Sequence, residues 1–360
     1  MISGGGTGGH IFPAISIAHA LQEILQHVDI LFVGAKGKME MEKVPKAGFK
    51  IEGLWISGIQ RKLAGQNFLF PAKLISSLLG ARRLIKDFKP DVVVGFGGYA
   101  SGPLLYVASR KGIPTLIQEQ NSYAGLTNKI LAKSVDKICV THNGMDKYFP
   151  KEKLVITGNP VRKTIKLNPN RKDEAYRHFE LSPNRPILLV VGGSLGARSI
   201  NEVVLDGLER LKKKNIQLIW QCGGLYYQEM TKRAKNKGGI VVLKDFIFQM
   251  DFAYGIADVV ISRAGALSIA ELMLTGKPSI LVPSPNVAED HQTINALALV
   301  AHKAAEMIKD SEAMDKLINE AIELLSDGAK QEELSKNIHA MAHENAAMDI
   351  ANEVIKLTEE

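Results

Sequence analysis

Near its start the chain carries the glycine-rich stretch Gly4-Gly5-Gly6-Thr7-Gly8-Gly9-His10, and a helical pattern follows at once. The next apolar residues keep the spacing of one helix face: Ile15, Ala18, Leu21 and Leu25. Glycine allows positive φ angles and a close approach of the backbone, so amide groups and the start of the helix can face an anion or a sugar. We therefore expect a ligand-binding loop after a first strand, although only Met1-Ile2-Ser3 precede it and a strand usually needs ~5 residues.

The same plan of strand, glycine loop and helix recurs along the chain. In the second half, Gly192-Gly193-Ser194-Leu195-Gly196-Ala197 follows the apolar run 187–191, and residues 262–271 again lead from a strand end into a helix. In the first half, Gly95-Phe96-Gly97-Gly98-Tyr99 ends a strand. Exposed amides and the Ser194 hydroxyl suit a phosphate oxygen. The alternative for each loop is a turn whose glycines serve packing alone.

Short apolar runs alternate with helical patterns from one end of the chain to the other. The predicted strands are residues 30–33, 92–94, 115–117, 137–140, 187–191, 217–220, 259–261 and 279–282. Continuous apolar strands between helices are typical of parallel sheets that are covered on both faces. The pattern predicts an α/β fold of two Rossmann-like, doubly wound domains, residues 1–160 and 161–340, followed by a helix within residues 341–360. Because such sheets bind ligands at the carboxyl ends of their strands, a central cleft between the domains is the predicted site.

Composition excludes several classes of protein. The chain has 360 residues, of which 46% are hydrophobic and 23% charged, and these are ordinary globular values. Two cysteines, Cys139 and Cys222, are too few for a disulfide scaffold or a four-thiolate zinc site. The chain begins without a signal-peptide pattern, and glycines and a proline interrupt the uncharged stretch at residues 92–109. We therefore expect a cytosolic protein without a membrane-spanning helix.

Motif spacing argues against dinucleotide and metal chemistry. Gly4, Gly6 and Gly9 fit G-x-G-x-x-G, but the second strand ends in Val33-Gly34 without the acid that a dinucleotide site requires. The sequence contains no Asp-x-Asp pair and no H-x-x-H or H-E-x-x-H spacing. We expect a bound diphosphate to be neutralised by amides, a helix end and arginine, with no metal ion or other cofactor.

Positive charge is concentrated in the first half of the chain. Residues 1–160 hold 20 Lys and Arg against 11 Asp and Glu, whereas residues 161–360 hold 25 against 27. Within residues 61–89, seven bases and one acid are interleaved with apolar side chains, which is typical of a surface that faces anionic lipid. The alternative is a helix with an apolar core face and solvated bases. Nucleic-acid binding, which a pI of about 9.1 would also allow, lacks a recognition module and leaves the glycine loops unexplained.

Six segments together resemble the MurG family. They occur in the family's order and extend over about residues 4–295: GGGTGGHIFP (4–13), GGYASGP (97–103), EQNSYAGLTNK (119–129), GNPVR (158–162), GGSLGA (192–197) and RAGALSIAE (263–271). The resemblance implies a GT-B glycosyltransferase whose first domain receives the acceptor and whose second binds UDP-N-acetylglucosamine. It implies an inverting, metal-independent transfer of N-acetylglucosamine to the C4 hydroxyl of undecaprenyl-pyrophosphoryl-N-acetylmuramyl-pentapeptide in peptidoglycan synthesis. It also implies a C-terminal helix that packs on the first domain, and a peripheral position at the cytoplasmic face of the plasma membrane.

The resemblance further implies roles for individual residues. In the first domain, Thr7, Gly8 and Gly9 would lie near the donor sugar and diphosphate, and Asn121 would contact the sugar. Arg162 would bind phosphate.

In the second half of the chain, Ser194 would also bind phosphate, the backbone of Ile247 would meet uracil, and Gln292 would contact the sugar hydroxyls. The start of one helix would cap the diphosphate and hold the ribose: Ala266, Leu267, Ser268, Ile269, Ala270 and Glu271.

Two residues are candidates for the catalytic base. His10 follows the glycine loop, and imidazole titrates near neutral pH; the alternative is a local hydrogen bond at the helix start. Glu119 could act as the base, orient the acceptor, or be a structural carboxylate bonded to loop amides. Gln118 stands where some members of the family carry histidine, so a role for that position does not transfer. A related enzyme with another lipid acceptor, such as diacylglycerol, is the alternative function, although the segments 119–129 and 158–162 favour the muramyl acceptor.

Overall fold

The computed structural model describes residues 1–58, 69–161, 165, 167–193, 195–235, 237–287 and 290–359. Its contacts divide the chain into two domains. The first comprises Met1–Arg162 and Asn345–Glu360, and the second comprises Lys163–Glu344. Each domain contains one parallel sheet with helices on both faces. This arrangement confirms the predicted α/β fold of two Rossmann-like domains.

The first domain is built on seven strands. They are β1 (Ile2–Ser3), β2 (Leu31–Ala35), β3 (Lys50–Leu54), β4 (Val93–Gly95), β5 (Thr115–Glu119), β6 (Lys137–Val140) and β7 (Leu154–Ile156). Their order in the sheet is β3-β2-β1-β4-β5-β6-β7. The order reverses between β1 and β4, and β1, although only two residues long, pairs in parallel with both β2 and β4.

Five helices connect these strands: α1 (Gly8–Ile24), α2 (Glu40–Lys46), α3 (Phe70–Phe88), α4 (Ser101–Arg110) and α5 (Leu126–Leu131). Helices α3, α4 and α5 share one apolar cluster, and α1 and α2 share another. The two clusters lie on opposite faces of the sheet, because successive side chains of each strand point to opposite faces.

The second domain is built on six strands. They are β8 (Ile187–Val191), β9 (Gln217–Gln221), β10 (Val241–Lys244), β11 (Val259–Ser262), β12 (Ser279–Leu281) and β13 (Glu306–Met307). Their order is β10-β9-β8-β11-β12-β13, which reverses between β8 and β11. All five residues of β8 and all four of β11 are buried, as expected for central strands covered on both faces.

The remaining helices are α6 (Lys172–Phe179), α7 (Arg198–Lys213), α8 (Tyr227–Ala234), α9 (Met250–Ile256), α10 (Ala266–Thr275), α11 (His291–Ala301), α12 (Ala313–Ser326), α13 (Gly328–His339) and α14 (Ala346–Glu359). Helices α6 to α13 cover the second sheet. Helix α14 belongs to the first domain and packs against α1, where Ile350, Ala351 and Val354 are buried.

Candidate functional site

The first glycine loop lies where the order of the first sheet reverses. Because β1 and β4 are neighbours, the loops that follow them start side by side at the carboxyl edge, where such sheets bind ligands. Gly98 packs on Gly5 so closely that a Cβ atom at Gly98 would lie 2.5 Å from the Gly5 carbonyl oxygen. The side chain of Gln120, after β5, donates to the carbonyl of Phe96 at 2.9 Å. Three loops, after β1, β4 and β5, are thus joined at this edge.

Helix α1 begins directly at this loop. Thr7 precedes it in an extended conformation and makes no side-chain cap hydrogen bond. Thr7 is exposed, and Gly8 and Gly9 are partly exposed. The structure therefore places all three predicted donor-binding residues at an uncapped helix start, where the helix dipole favours negative charge.

His10 lies in the first turn of α1 and is partly buried. Its Nδ1 is 2.9 Å from the carbonyl oxygen of Gly5. Since a carbonyl oxygen only accepts hydrogen bonds, Nδ1 carries the proton of the neutral imidazole, and Nε2 keeps an electron pair. The ring lies against Gly97, where a Cβ atom would be 3.0 Å from Nε2. The neutral side chain thus has the tautomer that a base acting through Nε2 requires.

Glu119 ends β5 and is 2% exposed. Its Oε1 accepts hydrogen bonds from the amide and the side chain of Asn121, at 3.1 and 3.2 Å. Its Oε2 accepts from the Gly125 amide and the Asn128 side chain, both at 2.9 Å. The carboxylate therefore organises the chain between β5 and α5. This geometry favours the positioning of Asn121 over proton transfer.

A buried carboxylate that was not predicted from the sequence supports the glycine loop. Glu40 begins α2 and is 1% exposed. Its Oε2 accepts a hydrogen bond from the Gly6 amide at 2.9 Å, and its Oε1 accepts from the Ala35 amide at 3.0 Å. No sequence signal separates Glu40 from Glu42, which is exposed on the same helix.

Gln221, the last residue of β9, was also missed, and it joins two parts of the second domain. Its Nε2 donates to the Gly193 carbonyl in the second glycine loop at 3.1 Å. Its Oε1 accepts from the Ile247 amide, the predicted uracil contact, at 2.8 Å. The signal that could have identified it is its place, a polar residue at the carboxyl end of an apolar strand.

Arg162 and Ser194, the predicted phosphate ligands, lie outside the described residues.

Helix α10 starts directly after β11, beside the loop that follows β8. Gly265 precedes it in an extended conformation without a side-chain cap. The first amides of a helix have no intrahelical partner, so they remain available to an anion. The predicted ligand residues follow in one run, of which Ala266, Leu267 and Ser268 are partly exposed and Ile269, Ala270 and Glu271 are buried.

Polar side chains fix the surroundings of α10. Glu271 accepts a hydrogen bond from the Tyr254 hydroxyl at 3.2 Å. Arg263 donates to the carbonyls of Val282 and Pro283 at 3.0 and 3.1 Å and also pairs with Asp310.

Gln292, in α11, holds the loop after β12, because its Oε1 accepts from the Ser284 amide at 2.9 Å. The side chain predicted to contact the sugar hydroxyls is thereby fixed beside the carboxyl edge of the second sheet.

A basic and apolar surface covers the outer side of α3, within the described part of the predicted lipid-facing stretch. Ser77, Ala81 and Ile85 face the core, and the opposite side exposes Ile75 and Leu79 at 60% and 63%. Exposed bases lie on the same helix or at its end: Arg82, Arg83, Lys86 and Lys89. Lys73 is partly buried and donates to Ser57. The neighbouring helices α4 and α5 add exposed apolar side chains: Tyr106, Leu126 and Ile130. Residues 61–68 of the stretch lie outside the described residues.

Two features are absent from the described ranges. No three His, Cys, Asp or Glu side chains there are grouped as a metal ion would require. Among the same residues, no helix is both long and apolar enough to cross a membrane.

Comparison with known proteins identifies the family of the chain. Family models match two parts of the chain, the glycosyltransferase family 28 N-terminal domain at residues 1–140 and its C-terminal domain at residues 187–354. The chain is 52% identical over 358 residues, 99% of it and 97% of the relative, to the UDP-N-acetylglucosamine--N-acetylmuramyl-(pentapeptide) pyrophosphoryl-undecaprenol N-acetylglucosamine transferase of Parabacteroides distasonis. It is 53% identical over 362 residues, 100% of it and 97% of the relative, to the protein of the same name from Bacteroides thetaiotaomicron.

Among solved structures, the crystal structure of Acinetobacter baumannii MurG superposes with a TM-score of 0.79, at 29% identity and with 99% of both chains covered. Two Rossmann-like domains, each with a glycine loop where the order of its sheet reverses, together with the two family 28 matches identify the chain as a glycosyltransferase of the GT-B class. Within that class, the chain belongs to the MurG family of glycosyltransferase family 28.

Proposed function

We propose that this chain transfers N-acetylglucosamine from UDP-N-acetylglucosamine to the C4 hydroxyl of undecaprenyl-pyrophosphoryl-N-acetylmuramyl-pentapeptide, a step of peptidoglycan synthesis. The observation that carries the proposal is the 52% identity, over 99% of the chain, with a relative named for this transfer. The glycine loops at the reversal points of both sheets supply the backbone groups that a sugar diphosphate needs.

The second domain binds the donor. The uncapped start of α10, at Ala266, Leu267 and Ser268, offers amides and a positive dipole end to the diphosphate. Gln221 holds Ile247 and Gly193 at a fixed separation, and these two positions meet the uracil and the phosphates. Glu271 accepts from the ribose hydroxyls and Gln292 contacts the sugar. The family resemblance alone assigns phosphate binding to Ser194 and Arg162.

His10 acts as the general base. The acceptor oxygen forms a bond to the anomeric carbon while the bond from that carbon to the diphosphate oxygen breaks, with inversion. The acceptor proton moves to Nε2, which is free to receive it because Nδ1 donates to the Gly5 carbonyl. Glu119 is a positioning residue, whose buried carboxylate sets the amide and side chain of Asn121 for the sugar.

The leaving diphosphate is stabilised without a metal ion. Its negative charge develops next to the α10 amides, which are already oriented before the reaction. A fixed set of donors in a partly dehydrated site stabilises charge more strongly than water does. Transfer is therefore insensitive to a chelator.

The first domain docks on an anionic membrane surface. Each base near such a surface contributes ~1 kcal/mol, so the bases of α3 together can hold the protein peripherally while Ile75 and Leu79 enter the headgroup region. The location is the cytoplasmic face of the plasma membrane, where a nucleotide sugar and a lipid-linked acceptor meet.

One assay tests the proposal. Purified protein is given labelled UDP-N-acetylglucosamine with a chelator, and either the lipid-linked muramyl-pentapeptide or diacylglycerol as acceptor. We expect label only in the muramyl lipid, at the same rate with and without the chelator. Label in diacylglycerol alone would replace the proposed acceptor, and a strict need for Mg²⁺ would contradict the metal-free mechanism.

A further inference from the structure

One peptide group joins two side chains that are distant in sequence. The N–H of the Gly5–Gly6 peptide donates to Oε2 of Glu40 at 2.9 Å. The C=O of the same peptide lies 2.9 Å from His10 Nδ1 and accepts a hydrogen bond from its N–H group. The peptide is trans, so the two hydrogen bonds leave it in opposite directions. Glu40, one peptide group and His10 therefore form a continuous hydrogen-bonded chain.

We infer that Glu40 is a positioning residue that acts on His10 through this peptide. A carboxylate at the N–H polarises the peptide and increases the negative charge on its carbonyl oxygen, since hydrogen bonds in a chain strengthen one another. The stronger acceptor holds the Nδ1 proton, so Nε2 keeps its electron pair and becomes more basic. A carboxylate bonded directly to histidine fixes its tautomer in the same way. The inference depends on the proposed function only in taking His10 as the base.

The packing around Glu40 is built to receive its carboxylate. Glu40 is 1% exposed, and both hydrogen bonds that the structure gives its carboxylate come from backbone amides. A Cβ atom on Gly5 would lie 2.2 Å from Oε1 of Glu40, and a Cβ atom on Gly34 would lie 2.6 Å from Cγ of Glu40. Glycine at these positions therefore leaves the space that the Glu40 side chain fills. The second bond, to Ala35, anchors the carboxylate to the end of β2, so the loop is tied to the sheet.

A double-mutant cycle separates this role from a merely structural one. In the wild-type background, we expect Glu40→Gln to lower kcat about tenfold, a fraction of what general-base catalysis contributes, with KM for UDP-N-acetylglucosamine changed less than about twofold. In the His10→Ala background, the same substitution has no further effect on kcat, because the imidazole through which Glu40 acts is absent. An equal loss in both backgrounds would overturn the inference. Glu42→Gln, on the exposed side of α2, is the matched control and leaves kcat unchanged.

Nitrogen-15 NMR of the histidine rings gives a readout that does not depend on activity. The His10 signals are assigned by their loss in His10→Ala. We expect neutral His10 to be protonated at Nδ1 in the wild type and to shift towards the Nε2-protonated tautomer in Glu40→Gln. Identical tautomer populations in the two proteins would overturn the inference.

The two measurements also distinguish failure of the inference from failure of the proposed function. A tautomer shift together with unchanged turnover of His10→Ala would keep the link to Glu40 and reject His10 as the base. Thermal unfolding verifies that Glu40→Gln is folded. If it is not, Glu40→Asp replaces it in both measurements. Its carboxylate is one methylene shorter and is drawn away from the Gly6 amide, so changes in the same direction but of smaller size are expected in kcat and in the tautomer population, and no change in either would overturn the inference.

Discussion

The Lys137 ammonium in β6 lies 3.0 Å from Oε2 of Glu353 in α14, although 216 residues separate them in the chain. Both side chains are largely buried, with 22% and 12% of their surface exposed. Burial alone would raise the pKa of Glu353, but hydrogen bonds from Lys356 and Lys137 outweigh it and leave that pKa below its ordinary value. The pair ties the C-terminal helix to the sheet of the first domain.

We expect Glu353→Gln to lower the free energy of unfolding of the first domain by about 1–2 kcal/mol at neutral pH, since it removes a partly buried charge-assisted hydrogen bond. A carboxyl whose pKa is lower in the folded state stabilises fully above its unfolded pKa, and this stabilisation is lost as pH falls through the folded value. The difference from wild type, measured by urea unfolding, should therefore shrink below about pH 4.5. Glu359→Gln, exposed on the same helix, should behave as wild type at every pH. A difference that stays constant down to pH 3 would contradict the assigned pair.

Gly97 is predicted to be essential for turnover, because it lies against the His10 ring. It has a φ of +91°, and a Cβ atom there would be 3.0 Å from Nε2. We expect Gly97→Ala to lower kcat at least tenfold, because the added methyl group would displace the His10 ring from the acceptor hydroxyl. Gly144→Ala is a matched control for backbone strain, because Gly144 has a φ of +78° and open space around it. Both variants should lose about 1 kcal/mol of stability, and equal activity of the two would show that contact with His10 is unimportant.

Gln221 should determine donor affinity. Replacing it with Leu removes its hydrogen bonds to Ile247 and Gly193, so the nucleobase and phosphate contacts lose their fixed separation. We expect KM for UDP-N-acetylglucosamine to rise about tenfold, with a smaller change in kcat. A tenfold rise corresponds to the loss of roughly one hydrogen bond whose partners are left unpaired. Gln217→Leu is the control, because Gln217 is buried in the same strand and bonds to Ser182 instead. The prediction fails if both variants raise KM equally.

The outer side of α3 should govern membrane binding. Ile75→Ser with Leu79→Ser removes two exposed apolar side chains, and Arg82→Glu with Arg83→Glu reverses two charges. Each double variant should weaken binding to anionic vesicles by about tenfold or more at low salt. Leu225→Ser, 83% exposed in the second domain, should bind as wild type does. Sedimentation with vesicles of anionic and neutral lipid measures this, and undiminished binding of both double variants would locate the membrane contact elsewhere.

The central strands could be predicted from sequence, whereas several edge strands could not. The predicted runs 137–140 and 187–191 coincide with β6 and β8, because continuous apolar residues are needed where helices cover both faces. Edge strand β3, by contrast, reads Lys-Ile-Glu-Gly-Leu, and only its last residue is buried. Edge strand β10 has no fully buried residue. Strand β3 therefore carries no continuous apolar signal, whereas β10 begins with the apolar run Val241-Val242-Leu243, which the prediction from sequence missed.

The glycine loops of the site were evident from sequence because glycine marks close backbone approach. Glu40 and Gln221 were not, since their roles depend on partners that folding brings together. Glu40 binds the amide of a residue 34 positions earlier, and Gln221 that of a residue 26 positions later. No local pattern records such pairs, and only the strand order, which sets β1 beside β2 and β8 beside β9, creates them.

The most direct test of the account is the rate of a single turnover in His10→Ala, measured beside the dissociation constant of UDP-N-acetylglucosamine. The account predicts a rate at least about a hundredfold below wild type, the usual contribution of a general base, with donor binding within about threefold of wild type. A wild-type rate, or a slow rate explained entirely by weaker donor binding, would contradict the assignment of proton removal to the imidazole beside the first glycine loop.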